Sequence, residues 1–156
     1  MLEIVVPGWR ALKLKHLVLD LNGTLAVDGE LLPIHSRIAK VRQQLEVLLL
    51  SADTHGTLEK VAATLGVEAI RLDHDASGSE QKAQHVARLG AESVVAIGNG
   101  ANDRGMLELA ALAVVVIGAE GCALSALTVA DVAVPSAGNA LDLLLEPRRL
   151  VATLRR

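Results

Sequence analysis

Aromatic side chains are almost absent: Trp9 is the single example, and no Phe or Tyr occurs among 156 residues. The core must be built from Leu, Val, Ala and Ile, which suit a buried parallel sheet flanked by helices. Cysteine is nearly missing too. Cys122 alone closes no internal disulfide, and without a second cysteine no cysteine-pair zinc site arises, in keeping with a reducing compartment. Long hydrophobic runs are also lacking. The longest, Ala110 to Gly118, is about half of the ~20 residues that span a bilayer. The segment Met1 to Gly8 is too short and too acidic for a signal peptide and stops at Pro7-Gly8. A cytoplasmic protein without membrane insertion is therefore expected. Nor is there a dense basic face. The net charge is −3, against what nucleic-acid binding needs, so no nucleic-acid partner is expected. The pairs Arg148-Arg149 and Arg155-Arg156 suit a helix C-terminus or solvent.

What is present is 51% apolar composition, enough for one compact core, and a single domain over 1–156 is expected. Leu2 to Val6 reads as a short edge strand, followed by polar residues Arg10 to Lys15. Leu17 to Leu21 is an apolar run that stops at Asn22-Gly23-Thr24, and Asp20 lies at its end. Thr24 to Leu32 reads as two short strands around Asp28-Gly29, a dipeptide favoured in two-residue hairpin turns. Pro33 to Gln44 has helical spacing, with proline at the start. Val47 to Leu50 is a second buried strand ending at Ser51-Ala52-Asp53. Thr57 to Leu65 is a helix closed by Gly66, Glu68 to Leu72 a strand, and Ser79 to Leu89 a helix closed by Gly90. Ser93 to Ile97 is a fourth strand and delivers Gly98-Asn99-Gly100-Ala101-Asn102-Asp103 into a helix ending near Leu109. Ala113 to Ile117 and Asp131 to Val134 are further strands separated by a short helix, Cys122 to Leu127. Ala137 to Leu154 reads as helix broken at Pro147. This rhythm predicts α/β architecture with right-handed crossovers and one mainly parallel sheet.

In such a sheet the polar strand endings share one edge, where ligands bind. Asp20, Ser51, Lys82 and Asp103 then meet around a small anion. Asp20 and Asp103 are hard oxygen donors for Mg²⁺. Ser51 and nearby backbone N–H groups hold phosphoryl oxygens, and Lys82 neutralises charge that repels an attacking carboxylate. Asp20 is the candidate nucleophile. Each residue alone has an ordinary reading. Asp20 opens a turn, Ser51 caps or turns, Lys82 is a solvated charge, and Asp53 caps the following helix. His55, His74 and His85 share no metal-ligand spacing.

In order, Asp20-Leu21-Asn22-Gly23-Thr24, Ser51, Lys82 and Gly98 to Asp103 resemble the four motifs of the haloacid dehalogenase-like (HAD) superfamily. The nearest likeness is to the phosphorylation domain of P-type ATPases, through Leu50-Ser51-Ala52-Asp53 and through Gly98 to Asp103 with Arg104-Gly105-Met106-Leu107. The resemblance implies a three-layer Rossmann-like fold with a small β-hairpin flap and no cap domain. It implies Mg²⁺ held by Asp20, Asn22, Asn99 and Asp103, catalysis by Asp20, Asn22, Ser51 and Lys82, and phosphate binding by Gly23, Thr24, Ser51, Ala52 and Lys82. It also implies a phosphatase or phosphotransferase that acts on a phosphorylated small molecule or exposed phosphoryl group. Two positions depart from the family pattern. Asn22 stands where an acid-base Asp is usual, and losing such a group costs ~10²–10⁴ in rate. Asn99 stands where an acid helps hold the metal. A slow enzyme forming an aspartyl phosphate on Asp20 is expected, with a catalytically impaired phosphate- or partner-binding protein, a regulator among them, as the alternative. Capless members accept large substrates or close their sites by oligomerising, so a homo-oligomer is a further expectation.

Overall fold

The computed structural model describes residues 1–156. It opens with an antiparallel hairpin of β1 (Leu2–Val5) and β2 (Ala11–Leu14). The second of these strands lies in the stretch that reads as a polar connection. Its alternation buries Leu12 and Leu14 while Ala11 and Lys13 face outward, a two-residue period too short and too charged to stand out.

β3 (His16–Leu19) follows, then the flap, β4 (Ala26–Val27) and β5 (Glu30–Leu31). Its turn residues have φ of +51° at Asp28 and +82° at Gly29, as the Asp-Gly pair predicts for a hairpin turn. α1 is His35–Val41, shorter than the span of helical spacing, because residues 42–45 leave the helix in turns before β6 (Glu46–Ser51). α2 (Leu58–Leu65) stops at Gly66 in the left-handed conformation, as expected from glycine there. Next come β7 (Glu68–Arg71), α3 (Gly78–Leu89) and β8 (Val94–Gly98). A single 3₁₀ turn, Ala101–Asp103, leads into α4 (Arg104–Leu109). The chain ends with β9 (Leu112–Val116), α5 (Leu124–Leu127), β10 (Val132–Val134), α6 (Ala137–Leu145) and α7 (Pro147–Leu154). Pro147 starts α7, where its missing N–H costs nothing, rather than merely interrupting a helix.

Six strands form one parallel sheet in the order β10-β9-β8-β3-β6-β7. From β3 the chain first winds outward through β6 and β7, then crosses back to β8 and beyond. β3 is thus flanked by both halves, and a crevice opens at the carboxyl ends where the winding reverses. One sheet face carries Leu17, Leu19, Leu49 and Ile97 against Ile38 of α1, Val61 of α2, Leu141 of α6 and Leu150 of α7. The other packs Val18, Leu50 and Ala96 against Val86 of α3, Met106 of α4 and Ala126 of α5. The result is the three-layer, aliphatic sandwich that the composition calls for. Between Asn22 and Ser51 the chain holds only the flap and α1, so no cap domain covers the crevice.

Candidate active site

Asp20 immediately follows β3, and its N–H still donates to Ile97 O of β8 at 3.0 Å, so the carboxylate is fixed to the sheet edge. α3 brings Lys82 to it. The Lys82 ammonium lies 2.6 Å from Asp20 Oδ1 and 2.6 Å from Asp103 Oδ1, and its side chain is fully buried. α3 is N-capped by Ser77, whose Oγ accepts the Glu80 N–H, which fixes where the helix begins.

Asp103 is tied on both sides. Oδ1 takes Lys82, while Oδ2 accepts the N–H groups of Asn99 at 2.9 Å and Gly100 at 2.8 Å. That arrangement needs glycine at 98, because a Cβ there would lie 2.5 Å from Asp103 Cγ. The sequence reading makes Asp103 a metal ligand; in the structure its buried carboxylate anchors Lys82 through one oxygen and the loop after β8 through the other.

Thr24 Oγ1 sits 3.0 Å from Asp20 Oδ2 and 3.1 Å from Asn99 Oδ1. The Asn99 amide donates from Nδ2 to Gly121 O at 3.1 Å. Both ends of Asn99 are therefore used, and an aspartate here would lose the donor to Gly121. Gly23, at φ +82°, lets the loop approach this side chain, since a Cβ there would lie 2.5 Å from Asn99 Nδ2.

The expected phosphate ligands Gly23 and Thr24 are committed inside the loop: Gly23 N–H donates to Ala26 O, and the Thr24 hydroxyl serves Asp20 and Asn99. At the ends of β3 and β6, the N–H groups of Leu21, Asn22 and Ala52 find no acceptor in the chain. Side-chain patterns carry no signal for Leu21 as a donor. Ser51 closes β6, is buried, and its Oγ accepts the Asp53 N–H at 2.9 Å. Asp53 does cap α2, with Oδ1 accepting from Thr57 and Leu58 N–H.

Electrostatics follow from this enclosure. Burial, with the Asp103 charge adding to it, pushes Asp20 up from 3.8 to about 6, against the pull of Lys82 and Thr24. For Lys82, burial favours the neutral amine, but the two carboxylates together outweigh it and hold the ammonium above its ordinary value. Mg²⁺ commonly binds through one or two carboxylates, keeping waters and contacting substrate phosphate. The donors suit that spare form: the Asp20 carboxylate, Asn99 Oδ1, and the buried Asn22 Oδ1, which has no hydrogen-bond partner. No group of three His, Cys, Asp or Glu side chains makes a protein cage for a metal. No helix is long and apolar enough to cross a membrane.

No family model matches the chain. The Methanocaldococcus jannaschii protein called uncharacterized protein MJ0073 is 38% identical over 92 residues, covering 55% of this chain and 99% of that protein. Among solved structures, the cobalt-bound deoxy-D-mannose-octulosonate 8-phosphate phosphatase from Haemophilus influenzae superposes with a TM-score of 0.71 at 15% identity, covering 92% of this chain and 94% of that one. The Moraxella catarrhalis 3-deoxy-D-manno-octulosonate 8-phosphate phosphatase, in complex with magnesium ion, phosphate ion and KDO, gives 0.66 at 16% identity, over 91% and 94%. The catalytic domain of the CPx-ATPase CopB-B gives 0.61 at 24% identity, over 74% of this chain and 46% of that one. The chain thus has the haloacid dehalogenase-like fold and belongs to one family with the Methanocaldococcus jannaschii protein.

Proposed function

We propose that this protein is a Mg²⁺-dependent phosphatase or phosphotransferase that carries the phosphoryl group on Asp20 and releases it slowly. The observation that carries the reading is the buried Lys82 ammonium held 2.6 Å from both Asp20 and Asp103. Structural likeness to phosphatases of the same fold supports it.

An Asp20 oxygen attacks phosphorus, the bond to the leaving oxygen breaks, and an aspartyl phosphate forms. Lys82 offsets the charge of the carboxylate and of the incoming phosphate. Ser51 and the N–H groups of Leu21, Asn22 and Ala52 hold the equatorial oxygens, and Asp103 keeps Lys82 in place. Bound Mg²⁺ supplies charge neutralisation at the phosphoryl oxygens, with Asp20, Asn22 and Asn99 as its protein ligands. Hydrolysis then needs a base for the attacking water, and the Asn22 amide removes no proton. Substrates with good leaving groups suit such a site, because no acid is present to protonate a poor one.

The experiment is incubation with acetyl phosphate or p-nitrophenyl phosphate and Mg²⁺, comparing the native chain with Asp20→Asn and Asn22→Asp. Native protein should form a phosphoenzyme that Asp20→Asn lacks, and Asn22→Asp should raise turnover by about 10²–10⁴. Equal rates for the native chain and Asp20→Asn would sink the reading.

A binding role without useful turnover is the second reading. It draws on Asn99, whose amide is used at both ends within the fold. It predicts phosphate or partner binding that survives Asp20→Asn, and no gain from Asn22→Asp.

A further inference from the structure

Ser51 and Arg71 face each other on the last rung of β6 and β7, where Leu72 N–H donates to Ser51 O at 2.9 Å. Two residues past Ser51, Asp53 has φ of +56°. Aspartate enters this left-handed region more readily than most residues, because its short carboxylate can bond the nearby backbone.

Two elements, α2 and β7, hold Asp53. Its Oδ1 accepts Thr57 N–H at 2.7 Å and Leu58 N–H at 2.9 Å, at the start of α2. Its Oδ2 lies 2.6 Å from Arg71 Nη1 at the end of β7. Arg71 Nη2 in turn reaches Glu59 of α2, at 2.6 and 2.7 Å. The Asp53 side chain is wholly buried, so its charge depends on the guanidinium for compensation. Arg71 thus pairs with two carboxylates at once, through charge at Asp53 and through hydrogen bonds at Glu59.

The consequence reaches Ser51. Asp53 N–H donates to Ser51 Oγ at 2.9 Å. With an acceptor site of that hydroxyl filled by the loop, its own hydrogen is left to donate elsewhere. The same loop carries the Ala52 N–H, which has no acceptor in the chain.

We propose that Arg71, through Asp53, is a positioning residue for phosphoryl recognition: it locks the Ser51–Asp53 loop so that the Ser51 hydroxyl and the Ala52 N–H both point their hydrogens at one anion. The proposal rests on the phosphoryl site described above. Arg71 touches neither substrate nor Asp20 and acts on affinity through the loop.

The test is titration of full-length protein with inorganic phosphate in the presence of Mg²⁺, read from the amide signals of Ser51 and Ala52. It is paired with KM and kcat for p-nitrophenyl phosphate and with melting curves. Arg71→Ala should weaken phosphate binding on the order of ten- to a hundredfold, the usual scale for removing a group that orients a binding residue, and raise KM more than it lowers kcat. Arg71→Lys should restore part of the affinity, since an ammonium neutralises Asp53 but does not bridge to Glu59. Folded Arg71→Ala or Arg71→Lys that binds phosphate as the native chain does would overturn the proposal, as would variants that change only the melting temperature. Native protein whose Ser51 and Ala52 signals ignore phosphate would overturn the site reading itself, and is told apart because the native chain rather than the variant fails.

Discussion

The Asp20 carboxyl is buried and faces Asp103, and these two influences carry it from 3.8 to about 6 despite Lys82. Since the folded value lies above the unfolded one, the native state holds this proton more tightly. The stability it contributes is present at low pH and is lost as pH rises through about 6. Ionised Asp20 then costs about 3 kcal/mol at neutral pH, at 1.36 kcal/mol per unit. Asp20→Asn mimics the protonated group. In EDTA at pH 7.5 it should melt several degrees above the native chain, and the gap should close by about pH 4. Melting curves by circular dichroism check this, and a lower melting temperature for Asp20→Asn at pH 7.5 would mean that Lys82 outweighs burial. Asp20, Lys82 and Asp103 were legible because their residue types at strand ends and helix starts have few joint explanations. Arg71 was not, since an arginine at the end of a strand reads as a solvent charge until Asp53 is seen curling back to it. In the sequence Asn99 reads as a weakened metal ligand; only the Gly121 carbonyl reveals why an amide is useful there.

Between elements, the site depends on how closely α4 approaches α3, because Asp103 precedes one and Lys82 rides on the other. The contact is made by Gly105, whose N–H donates to Ser79 Oγ at 2.9 Å and whose place admits no side chain: a Cβ would lie 2.5 Å from Ser79 O. That obstacle is backbone, so the helices themselves must separate. Gly105→Ala should therefore cost about 1–3 kcal/mol, as overpacking does, and should weaken phosphoryl transfer by drawing Lys82 from Asp103. Urea unfolding with a parallel phosphoenzyme assay checks both, and an unchanged midpoint would show that the helices yield freely. The sequence displays Gly105 as part of the stretch that resembles P-type ATPases, without showing why glycine is needed there, because close approach of two helices is a property of the pair. The flap is the opposite case. Asp28-Gly29 specifies its own turn locally, so it was readable without knowledge of its neighbours.

For the molecule as a whole, the aliphatic sheet sets the Asp20 end of β3 at the reversal of winding, and the charges gathered there are unbalanced without a cation. Asp20 and Asp103 contribute two negative charges against the single ammonium of Lys82. A divalent ion should relieve that imbalance and so stabilise the native state by mass action, about 2.7 kcal/mol at a hundredfold excess over Kd. For a chain of this size each kcal/mol is worth roughly 2–4 °C. The ion competes with the Asp20 proton, so the gain should be full above about pH 6 and fall below it, roughly tenfold in affinity per pH unit. Adding Mg²⁺ to metal-free protein should thus raise the melting temperature by several degrees at pH 7.5, little at pH 5, and EDTA should reverse it. Asp20→Asn should respond weakly at either pH, having lost both the carboxylate and the competing proton. Equal Mg²⁺ shifts for the native chain and Asp20→Asn would place the cation elsewhere and leave Lys82 as the sole counter-charge of the site.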